Sequence, residues 1–175
     1  MTNGLKFEAE IQRSAAALEL HYQKLAVPMR LNQQKRLVKL KDNPYDSFFV
    51  HRGIHVALEL KSIQGTASFP LSNIEDHQVE GLKRNLQAGG VSWLLICCGV
   101  GKERATYALN FLLWEDMLAS LPLHNGEARK SIPIKTLSSP DYFVPLGKSV
   151  PIKVSCKRRV PPWDLRPLLP GGSSV

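Results

Sequence analysis

The spacing of apolar and polar residues predicts a helix at the start of the chain. Phe7, Ile11, Ala15 and Leu18 recur at intervals of three or four residues, which places them on one face of a helix over residues 4–20. Further along the chain, apolar and polar residues alternate one by one, which is typical of strands. The pattern therefore predicts a leading helix that packs on a sheet.

A β-hairpin is predicted in the first third of the chain. Two strands, over residues 46–51 and 54–61, flank the turn-forming pair Arg52-Gly53. In the second strand, apolar residues alternate with polar or small ones. Because side chains of a strand alternate between its two faces, Glu59 and Lys61 are expected to lie on the same face.

The middle of the chain predicts further helices and strands around a sheet. The predicted elements are a basic, roughly alternating segment over residues 30–41, a helix from Ser72 or Asn73 to Ala88, a buried strand over residues 91–98, a strand over residues 105–111 and a short helix over residues 112–121. Glu75 lies three residues after Ser72, which is the spacing of a capping box. The order of elements predicts an α/β domain with a mixed central sheet flanked by helices.

The character of the sequence changes near residue 121. Nine of the 12 prolines follow this point, and the last part of the chain is also basic. Such a composition is typical of extended or mobile segments. We therefore expect one domain over residues 1–121 and a proline-rich basic extension over residues 122–175.

Composition and charge indicate a polyanionic partner. The chain has 175 residues, 43% of them hydrophobic, which is enough for one domain with its own core. Its net charge is +8 and its pI is about 9.6. A basic balance of this size favours nucleic acid as a partner, although charge alone does not establish it.

Other compositional features exclude several classes of protein. No apolar stretch reaches the roughly 18 residues that span a bilayer, and the first residues lack the pattern of a signal peptide. The three cysteines form neither a disulfide framework nor a zinc motif. We expect a cytoplasmic protein with reduced cysteines and no membrane partner.

The strongest candidate chemistry is a pair of carboxylates followed by a lysine. The hairpin can bring Asp46 next to Glu59, with Lys61 on the face of Glu59. Two adjacent carboxylates repel each other unless a cation lies between them, and Mg²⁺ prefers oxygen ligands of this kind. The alternative is that Glu59 and Lys61 are an ordinary solvated strand face.

Several segments together resemble the RecU-type Holliday junction resolvases. Residues 46–61 resemble the acidic hairpin and E-x-K of that family, and Gly4-Leu-Lys-Phe-Glu8 resembles its N-terminal G-x-x-F-E. The stretch SFPLSNIEDHQVEGLKRNLQAGGVSWLLI, residues 68–96, resembles its F-P-L-x-N-I-x-x-H-Q pattern and the helix and strand that follow. The resemblance covers about residues 4–121. Two departures are the absence of a glycine soon after Asp46 and a short segment before it.

This resemblance implies a fold, an activity and roles for individual residues. It implies the restriction-endonuclease-like, PD-(D/E)XK fold, and a homodimer that cuts four-way DNA junctions with Mg²⁺, for which Mn²⁺ substitutes. Asp46 and Glu59 would bind the metal and Lys61 would assist the attacking water. Gln78 would help to hold the site, and Glu8 would add an acidic group.

Basic residues in the first third of the chain are candidates for phosphate contacts, which are neutral to DNA sequence. These candidates are Lys6, Arg30, Lys35, Arg36, Lys39 and Arg52. Three alternatives stay open at this point. They are another nuclease of the same fold with a different substrate (a restriction, repair, phage-type or archaeal Hjc-like enzyme), a non-catalytic DNA-binding protein of that fold, and a basic RNA-associated protein.

Overall fold

The computed structural model describes residues 3–27, 29–31, 34, 37–39, 42–65, 67–100, 103–123, 126–127, 129–147 and 163–171. Its helices and strands are, in chain order, α1 (Asn3–Ala17), β1 (His21–Lys24), β2 (Met29–Leu31), β3 (Leu37–Lys39), β4 (Ser47–His51), β5 (Ile54–Ile63), β6 (Ser68–Pro70), α2 (Asp76–Gln87), β7 (Val91–Cys98), β8 (Ala105–Asn110), α3 (Trp114–Ser120), β9 (Ser131–Pro133), α4 (Ile134–Leu137) and β10 (Phe143–Leu146). Short 3₁₀ turns cover Leu71–Asn73, Phe111–Leu113 and Arg166–Leu168.

A six-stranded mixed sheet forms the centre of the fold. Its strand order is β1-β4-β5-β7-β8-β10. The neighbours β5 and β7 are parallel, and every other neighbouring pair is antiparallel. Helix α2 makes the crossover between the two parallel strands, as a parallel connection requires. The predicted α/β fold, a mixed sheet flanked by helices, is confirmed.

The two faces of the sheet carry separate hydrophobic clusters. Phe7 and Ile11 of α1 pack against Val56 and Leu58 of β5 on one face. On the other face, Leu82 of α2 packs in a cluster that contains Ala57. Successive side chains of β5 point to opposite faces of the sheet, and both faces receive apolar residues. This is expected for a central strand that is covered on each side.

Helix α1 ends three residues earlier than the sequence predicts. Glu19 adopts a positive φ of 55°. The amides of Leu20 and Glu19 donate to the carbonyl oxygens of Ala15 and Ala16, at 3.0 and 3.2 Å. These two bonds form a Schellman motif, which satisfies the last carbonyls of the helix. The sequence contains no glycine at this position to signal the end, so the helix was extended too far and β1 was missed.

Helix α2 begins later than predicted. Its N-cap is Glu75, whose side chain accepts from the N3 backbone amide, and the side chain of Gln78 at N3 accepts from the backbone of Glu75. The capping box is therefore displaced by three residues from the one predicted at Ser72. Residues 71–73 form a 3₁₀ turn instead.

Segments after residue 121 join the same packed core. Strand β10 pairs with β8 at the edge of the central sheet. Trp163, Leu165 and Leu168 are buried in the cluster that contains α1. The packed core therefore continues past the boundary expected at residue 121.

The segment that contains Trp163 is tied to α1 by polar contacts. The backbone amide of Trp163 donates to Ser14 Oγ at 3.1 Å, and its indole Nε1 donates to Glu10 Oε2 at 3.2 Å. The other oxygen of Glu10 accepts from Arg104 Nη1 at 2.7 Å. Glu10 is 5% exposed, so these donors take the place of water around its carboxylate.

The remaining described strands form two small ribbons, β2 with β3 and β6 with β9. The ribbon of β2 and β3 lies between β1 and Asp46, within the basic segment in which apolar and polar residues roughly alternate.

Among the described residues, no helix combines the length and the apolarity that a membrane span requires.

Replacing Trp163 by alanine tests whether the last described segment stabilises the domain. The variant Trp163→Ala should lose about 3–5 kcal/mol of unfolding free energy, because a large buried side chain and a bond to Glu10 are removed. Urea denaturation measures the difference. Leu123→Ala is the control, since Leu123 is 66% exposed, and it should change stability by less than about 0.5 kcal/mol. Equal stability of both variants would contradict the packing described here.

Candidate active site

The site forms where β4 begins, beside the middle of β5. Asp46 lies immediately before β4, and its backbone amide donates to the carbonyl of Leu58 at 3.2 Å. Its side-chain Oδ2 accepts from the amide of Leu60 at 2.8 Å. The carboxylate of Asp46 therefore accepts a bond from β5 in the place of a backbone carbonyl. This bond fixes the carboxylate beside β5.

Glu59 is the most buried acidic residue of the site. It is 0% exposed, on the face of β5 that α2 covers. Its Oε1 accepts from Gln78 Nε2 at 2.6 Å and lies 2.9 Å from Lys61 Nζ. Its Oε2 is buried and has no hydrogen-bond partner. The alternative of a solvated strand face is therefore wrong for Glu59.

Gln78 connects the start of α2 to both charged residues of β5. Its amide Nε2 donates to Glu59, and its Oε1 accepts from Lys61 Nζ at 2.9 Å and from the Glu75 amide at 3.0 Å. The same side chain thus completes the capping box of α2 and orients the carboxylate and the ammonium. The amide oxygen faces two donors and the amide nitrogen faces a carboxylate oxygen, which fixes the orientation of the amide.

The loop that carries Asp46 is held against α2 by a close approach. A Cβ on Gly81 would lie 2.2 Å from the carbonyl oxygen of Pro44. Only glycine allows this distance between the helix and the loop. Gly81 therefore helps to set the separation between α2, which carries Gln78, and the loop, which carries Asp46.

Burial raises the pKa values of both carboxyls of the site. Burial is the largest cause of the rise of the Glu59 pKa to about 8, the charge of Asp46 adds to it, and Lys61 opposes it. Burial also raises the pKa of Asp46, against the hydrogen bond from Leu60 and the charge of Lys61, and the charge of Glu8 raises it further. The two acids thus share a site in which holding both negative charges is costly.

Glu8 and the edge strand β1 border the site on the side of Asp46. Lys24 of β1 forms an ion pair with Glu8 of α1. Burial raises the pKa of Tyr22, and the charges of Glu8 and Asp46 add to this rise. Three acids and two lysines therefore lie around one corner of the sheet.

The donor set of this corner fits a hard divalent cation. The unpartnered oxygen of Glu59 and the neighbouring carboxylate of Asp46 offer two anionic oxygen ligands. Within the described residues, no group of three or more His, Cys, Asp or Glu side chains could hold a metal. Mg²⁺ is commonly bound by one or two carboxylates, with water and substrate phosphate oxygens as its other ligands.

The structure brings Asp46, Glu59, Lys61 and Gln78 together, and it places Glu8 next to them in its pair with Lys24. His77, which precedes Gln78, lies 3.3 Å from Glu75 through its Nδ1 and is not part of this cluster.

The candidate DNA-contacting residues are spread more widely. Lys6 on α1 is exposed, and Arg52 is exposed at the hairpin turn, at the opposite end of β4 from Asp46. Arg30 and Lys39 belong to β2 and β3. Lys35 and Arg36 lie outside the described residues.

Sequence reasoning missed Tyr22 and Lys24. The signal that was available is the segment His21-Tyr22-Gln23-Lys24, which lies between the helix and Pro28. Four residues with one aromatic and no aliphatic side chain give a weak strand pattern. An edge strand of this length is recognised mainly through its partner, since Lys24 pairs with Ser47.

Fold and site together define a mixed α/β protein that holds a buried carboxylate, Glu59, beside the half-buried Asp46 and a lysine in its central sheet. The chain matches the family model of Recombination protein U, RecU, over residues 3–156. It therefore belongs to the RecU family.

Individual relatives and one solved structure are also similar to the chain. It is 32% identical over 99 residues to the Holliday junction resolvase RecU of Limosilactobacillus fermentum, covering 56% of this chain and 44% of that protein. It is 31% identical over 100 residues to that of Bacillus pumilus, covering 57% and 45%. The matches thus span less than half the length of these relatives. A structure of Archaeoglobus fulgidus Hjc, a Holliday junction resolvase, is similar with a TM-score of 0.46 and 13% identity, over 75% of this chain and 87% of that chain.

The raised pKa of Glu59 predicts how the stability of the metal-free protein depends on pH. A carboxyl whose pKa is higher in the folded state favours folding only while it is protonated. The free energy of unfolding should therefore fall as pH rises from the ordinary value of 4.5 through about 8. Glu59→Gln should flatten this fall and be more stable than the wild type at alkaline pH.

Urea denaturation in a chelator, at about pH 5 and about pH 9, measures this difference. Glu115→Gln is the matched control, because Glu115 also pairs with a lysine but is 65% exposed, and it should keep the wild-type slope. An unchanged slope in Glu59→Gln would show that the buried carboxyl does not carry the pH dependence.

Proposed function

We propose that this chain is a metal-dependent endodeoxyribonuclease that cleaves branched DNA, and in particular resolves four-way junctions. The observation that carries the proposal is the buried carboxylate of Glu59 beside the half-buried Asp46, with Lys61 and Gln78 bonded to Glu59, in a chain of the RecU family. The relatives named Holliday junction resolvase RecU support the choice of substrate. The net charge of +8 supports a DNA partner.

The chemistry of the site suits the hydrolysis of a phosphodiester. Mg²⁺, or Mn²⁺ in its place, held by Asp46 and Glu59 would stabilise charge on the scissile phosphate and lower the pKa of the attacking water. Binding a divalent cation would also offset the cost of burying these charges, which is the largest cause of the raised pKa values of both carboxyls. The unpartnered Oε2 of Glu59 gives such an ion a buried ligand that no protein donor occupies.

Lys61 supplies the positive charge that the reaction needs. Its Nζ has three donors, of which Gln78 and Glu59 engage two, and its side chain is 17% exposed. The remaining donor can orient the attacking water or bind a non-bridging oxygen of the phosphate as negative charge develops. Attack in line would leave a 5′-phosphate and a 3′-hydroxyl.

Gln78 has a positioning role in this mechanism. It bonds to the acid and to the lysine at the same time, at 2.6 and 2.9 Å. A displacement of either group by an ångström is enough to lose much of the catalytic rate. The capping box ties Gln78 to the start of α2, so a whole helix holds these groups in place.

We further propose that the active form is a homodimer. Resolving a four-way junction requires two cuts in symmetry-related strands, and a two-fold dimer presents two equivalent sites for them. Exposed basic residues such as Lys6 and Arg52 would contribute phosphate contacts outside the site. These contacts should weaken as salt concentration rises.

A cleavage panel tests the proposal directly. Four-way, flap, duplex and single-stranded DNA of matched sequence are incubated with the protein, with and without Mg²⁺. We expect cleavage of the four-way junction only with Mg²⁺. Preferred cleavage of a flap or a duplex would identify a different nuclease of this fold. Binding without cleavage would indicate a DNA-binding protein, and binding of structured RNA alone would indicate an RNA partner.

Substitutions at the site should separate binding from cleavage. Asp46→Asn and Glu59→Gln should abolish Mg²⁺-dependent cleavage while junction binding is retained, because the phosphate contacts remain. Lys61→Ala should reduce the rate by about 10²–10³-fold, as expected for the loss of one electrostatic contact to the transition state. Glu115→Gln should cleave like the wild type. Full activity of either acid variant, measured in single-turnover assays, would refute the site.

A further inference from the structure

The edge strand β1 brings the ammonium group of Lys24 close to Asp46. In the pairing of β1 with β4, Lys24 lies opposite Ser47, the residue after Asp46. The amide of Leu25 donates to the carbonyl oxygen of Asp46 at 2.9 Å. Two strand contacts therefore fix Lys24 next to the residue that the proposed metal needs.

Lys24 forms an ion pair with Glu8, and this pair spans the gap between β1 and α1. Glu8 is 24% exposed, so it is partly withdrawn from solvent, whereas Lys24 is 54% exposed. The charge of Glu8 also reaches Asp46, where it raises the pKa of that carboxyl. Glu8 is thus close enough for its charge to act on Asp46. At the same time, its Oε2 is paired with the ammonium of Lys24.

Asp46 consequently has two acidic neighbours, each of which has its own lysine. Glu59 is paired with Lys61, and Glu8 is paired with Lys24. Within the part of the chain that the structure describes, Glu8, Asp46 and Glu59 do not form a three-acid cluster suited to a metal. Glu8 is instead paired with Lys24.

We propose that the ammonium of Lys24 takes the place of a second divalent cation, so that the site binds one ion with Asp46 and Glu59 and leaves Glu8 to Lys24. This inference rests on the proposed function. A divalent ion between Glu8 and Asp46 would have to displace the ammonium or stand beside it, and like charges at such short range repel. Lys24 would therefore neutralise the third acid without depending on the metal concentration.

Metal stoichiometry tests this proposal without an activity assay. Mn²⁺ is titrated into metal-free protein, and bound ion is counted by the loss of the electron paramagnetic resonance signal of free Mn²⁺. The wild type should bind one Mn²⁺ per chain. Lys24→Met keeps the length of the side chain but removes its charge, so Glu8 becomes available and a second Mn²⁺ should bind.

Three further variants show whether the effect comes from this ion pair. Lys24→Arg keeps the positive charge and should bind one ion, like the wild type. The double variant with Lys24→Met and Glu8→Gln removes the released acid and should return to one ion. Lys83→Met is the matched control, because it breaks the exposed pair with Glu115 and measures how much Mn²⁺ any released surface glutamate collects.

The outcomes separate this inference from the proposed function. One ion in the wild type and a second in Lys24→Met alone would support both. One ion in both the wild type and Lys24→Met would overturn the inference and leave the proposed metal site intact. Two ions in the wild type would have the same consequence. A second ion in Lys83→Met as well would also overturn it, since any free glutamate would then suffice. If neither protein binds Mn²⁺, the proposed metal site and the inference both fail.

Discussion

A carboxylate buried in the central strand of the sheet is the constraint around which this domain is organised. Glu59 has no exposed surface, and an unpaired charge in such a place is costly. One of its oxygens is satisfied by Gln78 and Lys61, and the other is buried without a hydrogen-bond partner. The fold therefore holds a carboxyl whose pKa is raised to about 8, mainly by burial, and one of whose oxygens has no donor. Groups of this kind are found where a structure is prepared to bind something.

The elements around Glu59 follow from this constraint. Strand β5 is covered on both faces, so its polar residues need partners within the fold. Helix α2 must begin at a defined residue, because its first turn supplies Gln78, and Gly81 lets it approach Pro44 closely. The loop before β4 must end at Asp46, whose side chain replaces a backbone group in the strand pairing. Fold and site are thus specified by the same few contacts.

The sequence predicts the part of this arrangement that depends on periodicity. Alternation in β5 was sufficient to put Glu59 and Lys61 on one face, and the Arg52-Gly53 turn was sufficient to bring β4 beside it. Contacts between distant segments carry no such local signal. Gln78 was assigned only through a family resemblance, and Lys24 was missed because its strand is short and polar. The helix end at Glu19 was misplaced because a non-glycine residue adopts the left-handed conformation there.

Gln78 has a consequence for how related sequences are compared. Glutamate and glutamine are interchangeable at the third position of an ordinary capping box. In this chain only the amide can donate to Glu59, whereas a glutamate would present another anion to a carboxylate that already lacks solvent. In a relative with glutamate at this position, the helix could begin at the same residue. The side chain could not, however, donate a hydrogen bond to the carboxylate in β5. Helix propensity would not detect that difference, whereas the bond from this single amide nitrogen to Glu59 would be lost.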